Sequence, residues 1–331
     1  MLYFTRQIKH IPTPLCGLAL ALVSLGKCVD DRLILNGVLA NSTAGIAIIL
    51  LSLVFIKFAV SPARFIDDLK HPVVSSVMPT AAMCLMVIAS TLAARYEQLG
   101  LSLWYLGLSL HMIFLGLFVI FRLPKFQIQH LVPSWFIPPI GIVVAAVTCP
   151  GEAQVAVAKN IVMFGLLAYV VMLIPVLYRL IFVDSLPDAA KPTIAVLAAP
   201  ASLTLAGYLT VFEQPNMWLV EMLMAVALLM TVLVYSAFIH LCRLPFSPGR
   251  AAFTFPMVIG AVALYKCAAV FATLDANNAH LIYKMADIEL IGACIMVSYV
   301  ALGYLKAMQK NLQQARFTKA QAGSLTQVEV S

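Results

Sequence analysis

The sequence predicts an all-α protein that crosses a membrane many times. Of its 331 residues, 63% are hydrophobic and 11% are charged, whereas soluble proteins hold about 25% charged residues. The mean hydropathy is +0.99. The apolar runs are continuous over about 20 residues, as helices that span a bilayer require, and do not show the alternating pattern of a membrane β-barrel. These observations exclude a soluble fold and favour bundled helices.

Ten apolar spans account for most of the chain. We predict them at 12–29, 36–59, 73–94, 99–121, 134–150, 156–183, 191–211, 215–242, 250–273 and 283–307, and the first and fifth are the weakest. They form a single transmembrane domain over residues 1–310, and a polar tail, residues 311–331, is expected in the cytoplasm. The basic N-terminus is similar to that of a signal peptide, but no small-residue cleavage pattern follows it. We therefore expect an uncleaved first span.

Lysine and arginine are distributed unequally between the two sides of the predicted spans. Fifteen lie near one set of span ends and five near the other, while Lys266 lies within the ninth span. Loops rich in these residues stay in the cytoplasm, so this split predicts that both termini are cytoplasmic and that the number of spans is even. The same loops explain the net charge of +7. No basic segment carries the stacking aromatics of a nucleic-acid-binding surface.

A proline recurs in every odd-numbered span. Successive prolines are 65, 59, 62 and 56 residues apart, each in the half of its span that we expect nearer the cytoplasm: Pro14, Pro79, Pro138, Pro200 and Pro256. Single prolines are common in membrane helices, but a period of this kind indicates a repeated unit. We predict five helical hairpins, with the proline-kinked odd spans forming an inner ring around a central pore. The straight even spans would face lipid.

The ninth span, 250–273, carries the features that predict an occluding side chain. Pro256 removes a backbone donor and clashes with the preceding turn, so it bends or breaks the helix. Lipid cannot supply the missing hydrogen bond, and the break must face protein or water. Phe253 and Phe255 precede the proline. Because successive helical residues turn by about 100°, at most one of these two rings faces a central axis.

Small hydroxyl side chains accompany the prolines of the inner spans. We predict that they line a polar path, although hydroxyls also satisfy backbone groups freed by a bend or pack between helices; the candidates are Thr13, Ser76, Thr80, Ser202, Thr204 and Thr254. Lys266 is the one clear charge on an inner span. It either attracts anions to the mouth of the path or extends its ammonium to the lipid headgroups.

The central parts of the inner spans contain almost no acidic side chains. Cation paths usually show acidic rings, and proton-coupled carriers usually show Asp, Glu or His at mid-depth. A path lined by hydroxyls, backbone breaks and apolar groups suits anions better. No Walker motif and no nucleophile–base constellation occurs, so we predict neither an ATP-driven element nor an enzyme. The seven cysteines show no paired spacing, and we expect no metal or cofactor.

Three segments on odd spans resemble one family of ten-helix membrane proteins. That family comprises bacterial tellurite-resistance (TehA) proteins, fungal malate and sulfite transporters of the C4-dicarboxylate type, and plant slow-type anion channels. The segments are His71-Pro72-Val73-Val74-Ser75-Ser76 leading to Pro79 and Met83, Leu197-Ala198-Ala199-Pro200-Ala201 leading to Tyr208, and Phe253-Thr254-Phe255-Pro256-Met257 leading to Lys266. The resemblance covers the chain from Ile11 to about Lys306.

The resemblance implies a pseudo-fivefold arrangement of hairpins around a central pore and a homotrimer with one pore per subunit. It also implies that a phenylalanine on the ninth helix plugs the pore. Matching the Phe-Pro pair assigns this role to Phe255, with Phe253 as the second choice. The fifth span departs from the family, because Pro138 and Pro139 match its pattern only loosely.

We therefore expect a gated, passive anion channel or facilitator of a bacterial inner membrane, with small inorganic or organic anions and the lipid bilayer as its partners. The alternative is a secondary carrier that exports a C4-dicarboxylate, sulfite or tellurite. If the carrier is proton-coupled, a titratable group must lie on the path, and His71 and Lys266 are the candidates. A membrane sensor without transport is a third hypothesis.

Overall fold

The structure is built from helices that pack into one bundle. The computed structural model describes residues 8–9, 11–274 and 276–328, without the side chains of 276–277, 311–312 and 314–328, and this part of the chain contains no strand. The α-helices are α1 Leu15–Leu33, α2 Val38–Val60, α3 Pro62–Lys70, α4 Pro72–Val77, α5 Thr80–Ala93, α6 Glu97–Arg122, α7 Ile137–Ile140, α8 Val144–Val147, α9 Glu152–Phe182, α10 Ala199–Val211, α11 Met217–Leu241, α12 Phe255–Phe271 and α13 Ala276–Val328. The predicted tail begins within α13, and its last residues, 329–331, lie outside the described residues.

Eight helical segments in the described part of the chain are long and apolar enough to cross a membrane. They correspond to eight of the ten predicted spans. The two remaining spans are the first, which is the 19-residue helix α1, and the fifth, which is the shorter apolar segment Pro133–Val147. These are also the two spans that the sequence supports least. The all-helical membrane fold is thus confirmed, and the structure is consistent with ten spans.

The odd and even spans differ in burial, as an inner and an outer ring require. In the third, seventh and ninth spans, 78%, 83% and 72% of the residues in the most apolar stretch are buried, against 22% to 33% in the even spans. The even helices expose bulky apolar side chains, for example Ile49, Leu167 and Ile288. Such side chains are suited to lipid tails. The prediction of an inner ring of odd spans is therefore confirmed.

Each odd span is broken, and its proline stands where a regular helix starts. Pro14 and Pro79 immediately precede α1 and α5, while Pro138, Pro200 and Pro256 lie in the first turns of α7, α10 and α12. Proline is tolerated there because the first N–H groups of a helix have no partner within it. Three of the odd spans run as 3₁₀ helices before the proline, at Pro133–Phe136, Lys191–Ala198 and Pro248–Phe253. The predicted bends are thus junctions between two helical segments.

Arg250 fixes the first segment of the ninth span to its neighbours. The residue is 4% exposed. Its guanidinium donates hydrogen bonds to the carbonyl oxygens of Cys242, at 3.1 Å, and of Leu244, and to the hydroxyl of Tyr299 on α13. A buried cation must be hydrogen-bonded to be tolerated. The 3₁₀ segment that leads to Phe255 is therefore held against both of the even helices that flank it, α11 and α13.

Candidate functional site

Three cavities follow one another through the ring of odd spans. The vestibule has a volume of about 580 Å³ and includes Lys57, Arg64, Asp68, His71 and Gly249 in its wall. The central cavity measures about 70 Å³ and includes Val77, Thr80, Leu203, Phe255 and Pro256. The far cavity measures about 130 Å³ and includes Ser24, Lys27, Asp31, Phe255 and Lys266.

The order of the lining residues shows that the cavities lie in series. In the ninth span, residues 247–249 line the vestibule, 249–256 the central cavity and 255–266 the far cavity. In the first span and the residues that lead into it, the corresponding positions are 9 and 11–14, then 14–17, then 24–31. The third and fifth spans follow the same order. Since the odd spans cross the membrane in the same direction, the cavities are stacked along the axis that these spans surround.

The central cavity is enclosed entirely by odd spans and is almost wholly apolar. Its lining residues are Pro14 and Gly17; Val73, Val77, Thr80 and Met83; Phe136, Ile137, Ile140 and Gly141; Thr193, Val196, Ala199, Pro200 and Leu203; and Gly249, Ala251, Ala252, Phe255 and Pro256. None of these carries a charge. Its two hydroxyls donate to backbone carbonyls of their own turns, Thr80 to Val77 at 2.6 Å and Thr193 to Ala190 at 2.7 Å. An ion inside therefore meets hydrocarbon walls.

Phe255 separates the central cavity from the far cavity. Among the described residues it is the one that lines both, and its side chain is 8% exposed. Phe255 is the first residue of α12, at the junction where the 3₁₀ segment ends. The backbone break thus occurs at the residue whose ring stands between the two cavities.

Phe253 lies outside the three cavities. It is fully buried, and its ring contacts that of Phe238 on α11 with centroids 5.1 Å apart. The two candidate rings thus diverge, as the helical rotation between residues two apart requires. The geometry gives Phe253 a packing contact with an outer helix, whereas Phe255 faces the axis.

The predicted prolines and hydroxyls divide between the cavities and the surrounding backbone. Pro14, Pro200 and Pro256 line the central cavity, as does Thr80, and Thr13 lines the vestibule. Pro79 and Pro138 are buried without lining any of the three cavities.

Four of the predicted hydroxyls lie outside the three cavities and donate to nearby carbonyl oxygens at 2.7 to 3.0 Å: Ser76 to Val73, Ser202 to Ala198, Thr204 to Pro200 and Thr254 to Ala251. Each of these bonds spans three or four residues beside a proline junction. These hydroxyls therefore form hydrogen bonds with backbone carbonyls near the breaks instead of lining a polar path. Membrane helices that contain proline commonly satisfy freed backbone groups in this way.

The vestibule is basic because its one carboxylate is already neutralised. Lys57 Nζ donates to Asp68 Oδ2 and to Thr13 Oγ1, each at 2.8 Å, and Thr13 donates to the same carboxylate oxygen at 2.5 Å. Lys9 and Arg64 also line the vestibule and form no ion pair in the part of the chain that is described. The charge that remains in the vestibule is therefore positive.

His71 lies at the vestibule wall and caps α4. Its Nδ1 accepts hydrogen bonds from the backbone N–H groups of Val73 and Val74, both at 3.2 Å. Desolvation lowers the pKa of His71, and the charge of Arg122 lowers it further, while Asp68 opposes both. The lowered pKa favours the uncharged imidazole, and Nδ1 is occupied as an acceptor. This geometry disfavours His71 as the proton-carrying group of a carrier.

The far cavity also holds more positive than negative charge. Lys27, Lys266 and Asp31 line it. Asp287, on α13, is paired with Arg32, with N–O distances of 2.8 and 2.9 Å. In the described part of the chain Lys266 has no salt bridge, so its ammonium charge is not cancelled at short range.

Several lining residues carry no signal that sequence reasoning could have used. Val77, Ile140 and Leu203 are ordinary members of apolar spans, and only the ring geometry shows that they face a cavity. The Lys57–Asp68 pair was missed because charged residues are expected at and after the end of a span, where Lys57 and Asp68 lie. Their separation of eleven residues, across α3, gave no indication that they meet.

Comparison with known proteins agrees with this architecture. Residues 6–305 match the family model described as voltage-dependent anion channel, SLAC1. Two similar proteins from Methanocaldococcus jannaschii are named uncharacterized transporters. MJ0762 is 23% identical over 269 residues, which are 73% of this chain and 74% of the relative. MJ0576 is 23% identical over 253 residues, which are 68% of this chain and 67% of the relative. The family match begins before the first span and ends in the tenth.

Proposed function

The chain belongs to the voltage-dependent anion channel (SLAC1) family, and from that membership we propose that it is a gated, passive channel for small anions, with a pore in each subunit. The proposal assigns the gate to Phe255. One observation carries it: among the described residues, this is the one side chain that lines both the central and the far cavity. An anion that follows the axis of the odd spans must pass the phenyl group of Phe255.

The charge distribution along the axis supports anions over cations. The vestibule and the far cavity each hold more cationic than acidic side chains, and the central cavity holds none of either. Positive charge at both mouths raises the local concentration of anions. A narrow apolar centre then selects by the cost of removing water from the ion, so large, weakly hydrated monovalent anions should pass most readily.

The alternative function is a secondary carrier for a C4-dicarboxylate, sulfite or tellurite. Flux into liposomes that contain the purified protein distinguishes the two, with chloride, nitrate, sulfite, malate and tellurite as test anions. For a channel we expect downhill flux without a pH gradient and currents that reverse at the chloride equilibrium potential. Accumulation driven by a pH gradient would instead establish the carrier. Absence of flux for every anion would favour a sensor.

The arrangement in the membrane is part of the same proposal. The unequal distribution of lysine and arginine supports a bacterial inner membrane location with both termini, the tail 311–331 and the vestibule on the cytoplasmic side. We also propose a homotrimer with three independent pores. Reporter fusions at the two termini test the orientation, and mass measurement of the purified protein in detergent tests the subunit number.

Lys266→Gln is expected to lower anion flux from the far side by about two- to threefold at low ionic strength, because it removes a charge that concentrates anions at the mouth. The difference should disappear near 1 M salt, where the screening length falls to about 3 Å. Chloride current at several salt concentrations is the measurement. Lys159→Gln is the control, since Lys159 lies over the ring of Phe212 and lines none of the cavities. Equal losses in both variants would contradict the role of Lys266.

A further inference from the structure

We propose that the vestibule binds a compact multivalent anion, such as a tricarboxylate or a short polyphosphate, and that the bound anion blocks the pore from this side. The binding site stands on its own geometry, and the blocking effect rests on the channel function proposed above.

The volumes of the two cavities limit the size of an anion that can move from the vestibule into the central cavity. The vestibule holds about 580 Å³, whereas the central cavity beyond it holds about 70 Å³. The larger volume is within the range of about 300–1,000 Å³ that is usual for small-molecule sites. The smaller one accommodates roughly two molecules of water by their share of liquid volume. A branched polyanion that fits the vestibule is therefore too large for the next cavity.

The position of the vestibule makes its occupant an obstruction. Its wall shares Pro14, Val73 and Gly249 with the central cavity, so these three residues form the mouth between the two. They come from three different odd spans, the first, third and ninth. A ligand seated above them covers the mouth, and chloride would have to displace it before entering.

The free donors of the vestibule suit carboxylate or phosphate groups. Arg64 lines it and has no acidic partner among the described residues, and a guanidinium binds such groups through two parallel hydrogen bonds. Lys9 supplies a second cation, which forms no ion pair with the residues that the structure describes. A ligand with several anionic oxygens would satisfy these groups together.

The remaining charged groups in the vestibule do not cancel this attraction. Asp68 is the one carboxylate among the described residues of the wall, and it already accepts hydrogen bonds from Lys57 and Thr13. His71 presents its Nδ1 to α4, where it accepts hydrogen bonds from two backbone N–H groups. The attraction of the vestibule for an anion grows with the charge of that anion, so the site should favour multivalent over monovalent anions.

Binding and block are tested separately with citrate and tripolyphosphate as probes. Titration calorimetry of the purified full-length protein should detect binding of at least one probe, and Arg64→Gln should weaken it by about tenfold. The double variant Lys9→Gln/Arg64→Gln should weaken it further. Lys125→Gln is the matched control, because Lys125 is an exposed cation near the same end of the spans that does not line the vestibule, and it should bind as the wild type does.

Patch-clamp recording of chloride current then tests the block. The bound probe should reduce the current when applied to the vestibule side and leave it unchanged from the far side, and Arg64→Gln should need about ten times more probe. Failure of both probes to bind, or equal binding by Arg64→Gln and Lys125→Gln, would overturn the site. Binding without a reduced current, or transport of labelled citrate, would overturn the block. A wild-type protein that binds the probe but passes no chloride contradicts the channel function instead and leaves the site supported.

Discussion

Replacing Phe255 with alanine is expected to raise anion flux by about tenfold or more, which corresponds to ~1.4 kcal/mol removed from the barrier. The substitution removes the ring that lines both the central and the far cavity and merges two separate spaces into one. Chloride current, normalised to the amount of protein at the membrane surface, is the measurement. The same increase should appear for nitrate, because a steric plug obstructs every anion that takes the path.

Phe253→Ala supplies the matched control for the gate. It removes the same side chain two residues earlier, where the ring packs on Phe238 and lines no cavity. We expect it to reduce stability by about 3–5 kcal/mol, as truncation of a buried phenylalanine does, without raising flux. If Phe255→Ala leaves the flux at the wild-type level, or if Phe253→Ala raises it equally, the assignment of the gate is wrong.

Arg250→Ala is expected to destabilise the protein by about 3 kcal/mol or more, since it leaves several buried acceptors unpaired. The guanidinium holds the carbonyl oxygens of Cys242 and Leu244 and the hydroxyl of Tyr299. Without it, the 3₁₀ segment before Phe255 loses three hydrogen bonds, two to the chain that follows α11 and one to α13. Thermal unfolding in detergent, followed by tryptophan fluorescence, should show a lower midpoint and a smaller folded fraction during purification.

Arg243→Ala is the control for this effect. Arg243 is exposed in the loop after α11, so its loss should change the midpoint very little, because solvent-exposed charges contribute about 0–1 kcal/mol. Equal unfolding midpoints for the two arginine variants would show that the buried contacts of Arg250 do not stabilise the bundle.

The ring architecture was predictable because it depends on a period in the sequence. Prolines at intervals near sixty residues mark the odd spans, and the burial of those spans confirms that they form the inside of the ring. The family resemblance drawn from motifs such as Phe253-Thr254-Phe255-Pro256 is confirmed by the match over residues 6–305. The orientation of Phe255 relative to Phe253 followed partly from helical rotation, which excludes both rings facing the axis but does not decide between them.

Pairings between distant residues were beyond the reach of the sequence. Lys57 and Asp68 meet because α3 returns toward the end of α2, and Arg32 meets Asp287 across 255 residues of chain. Charge alone offered several partners for each, and only the packing selects one. The apolar residues that line the central cavity could not be predicted either. Val77 and Leu203 have the same chemistry as neighbouring residues that face another helix.

The central cavity lies within one subunit and not at an interface between described chains. The described lining of that cavity comes from five spans of one chain, so we expect each subunit of the proposed homotrimer to carry its own pore. Impairing one member of a mixed oligomer should therefore subtract its own share of the conductance and leave the others working. The total conductance would fall in proportion to the fraction of defective subunits, and a defective subunit would not inactivate its neighbours.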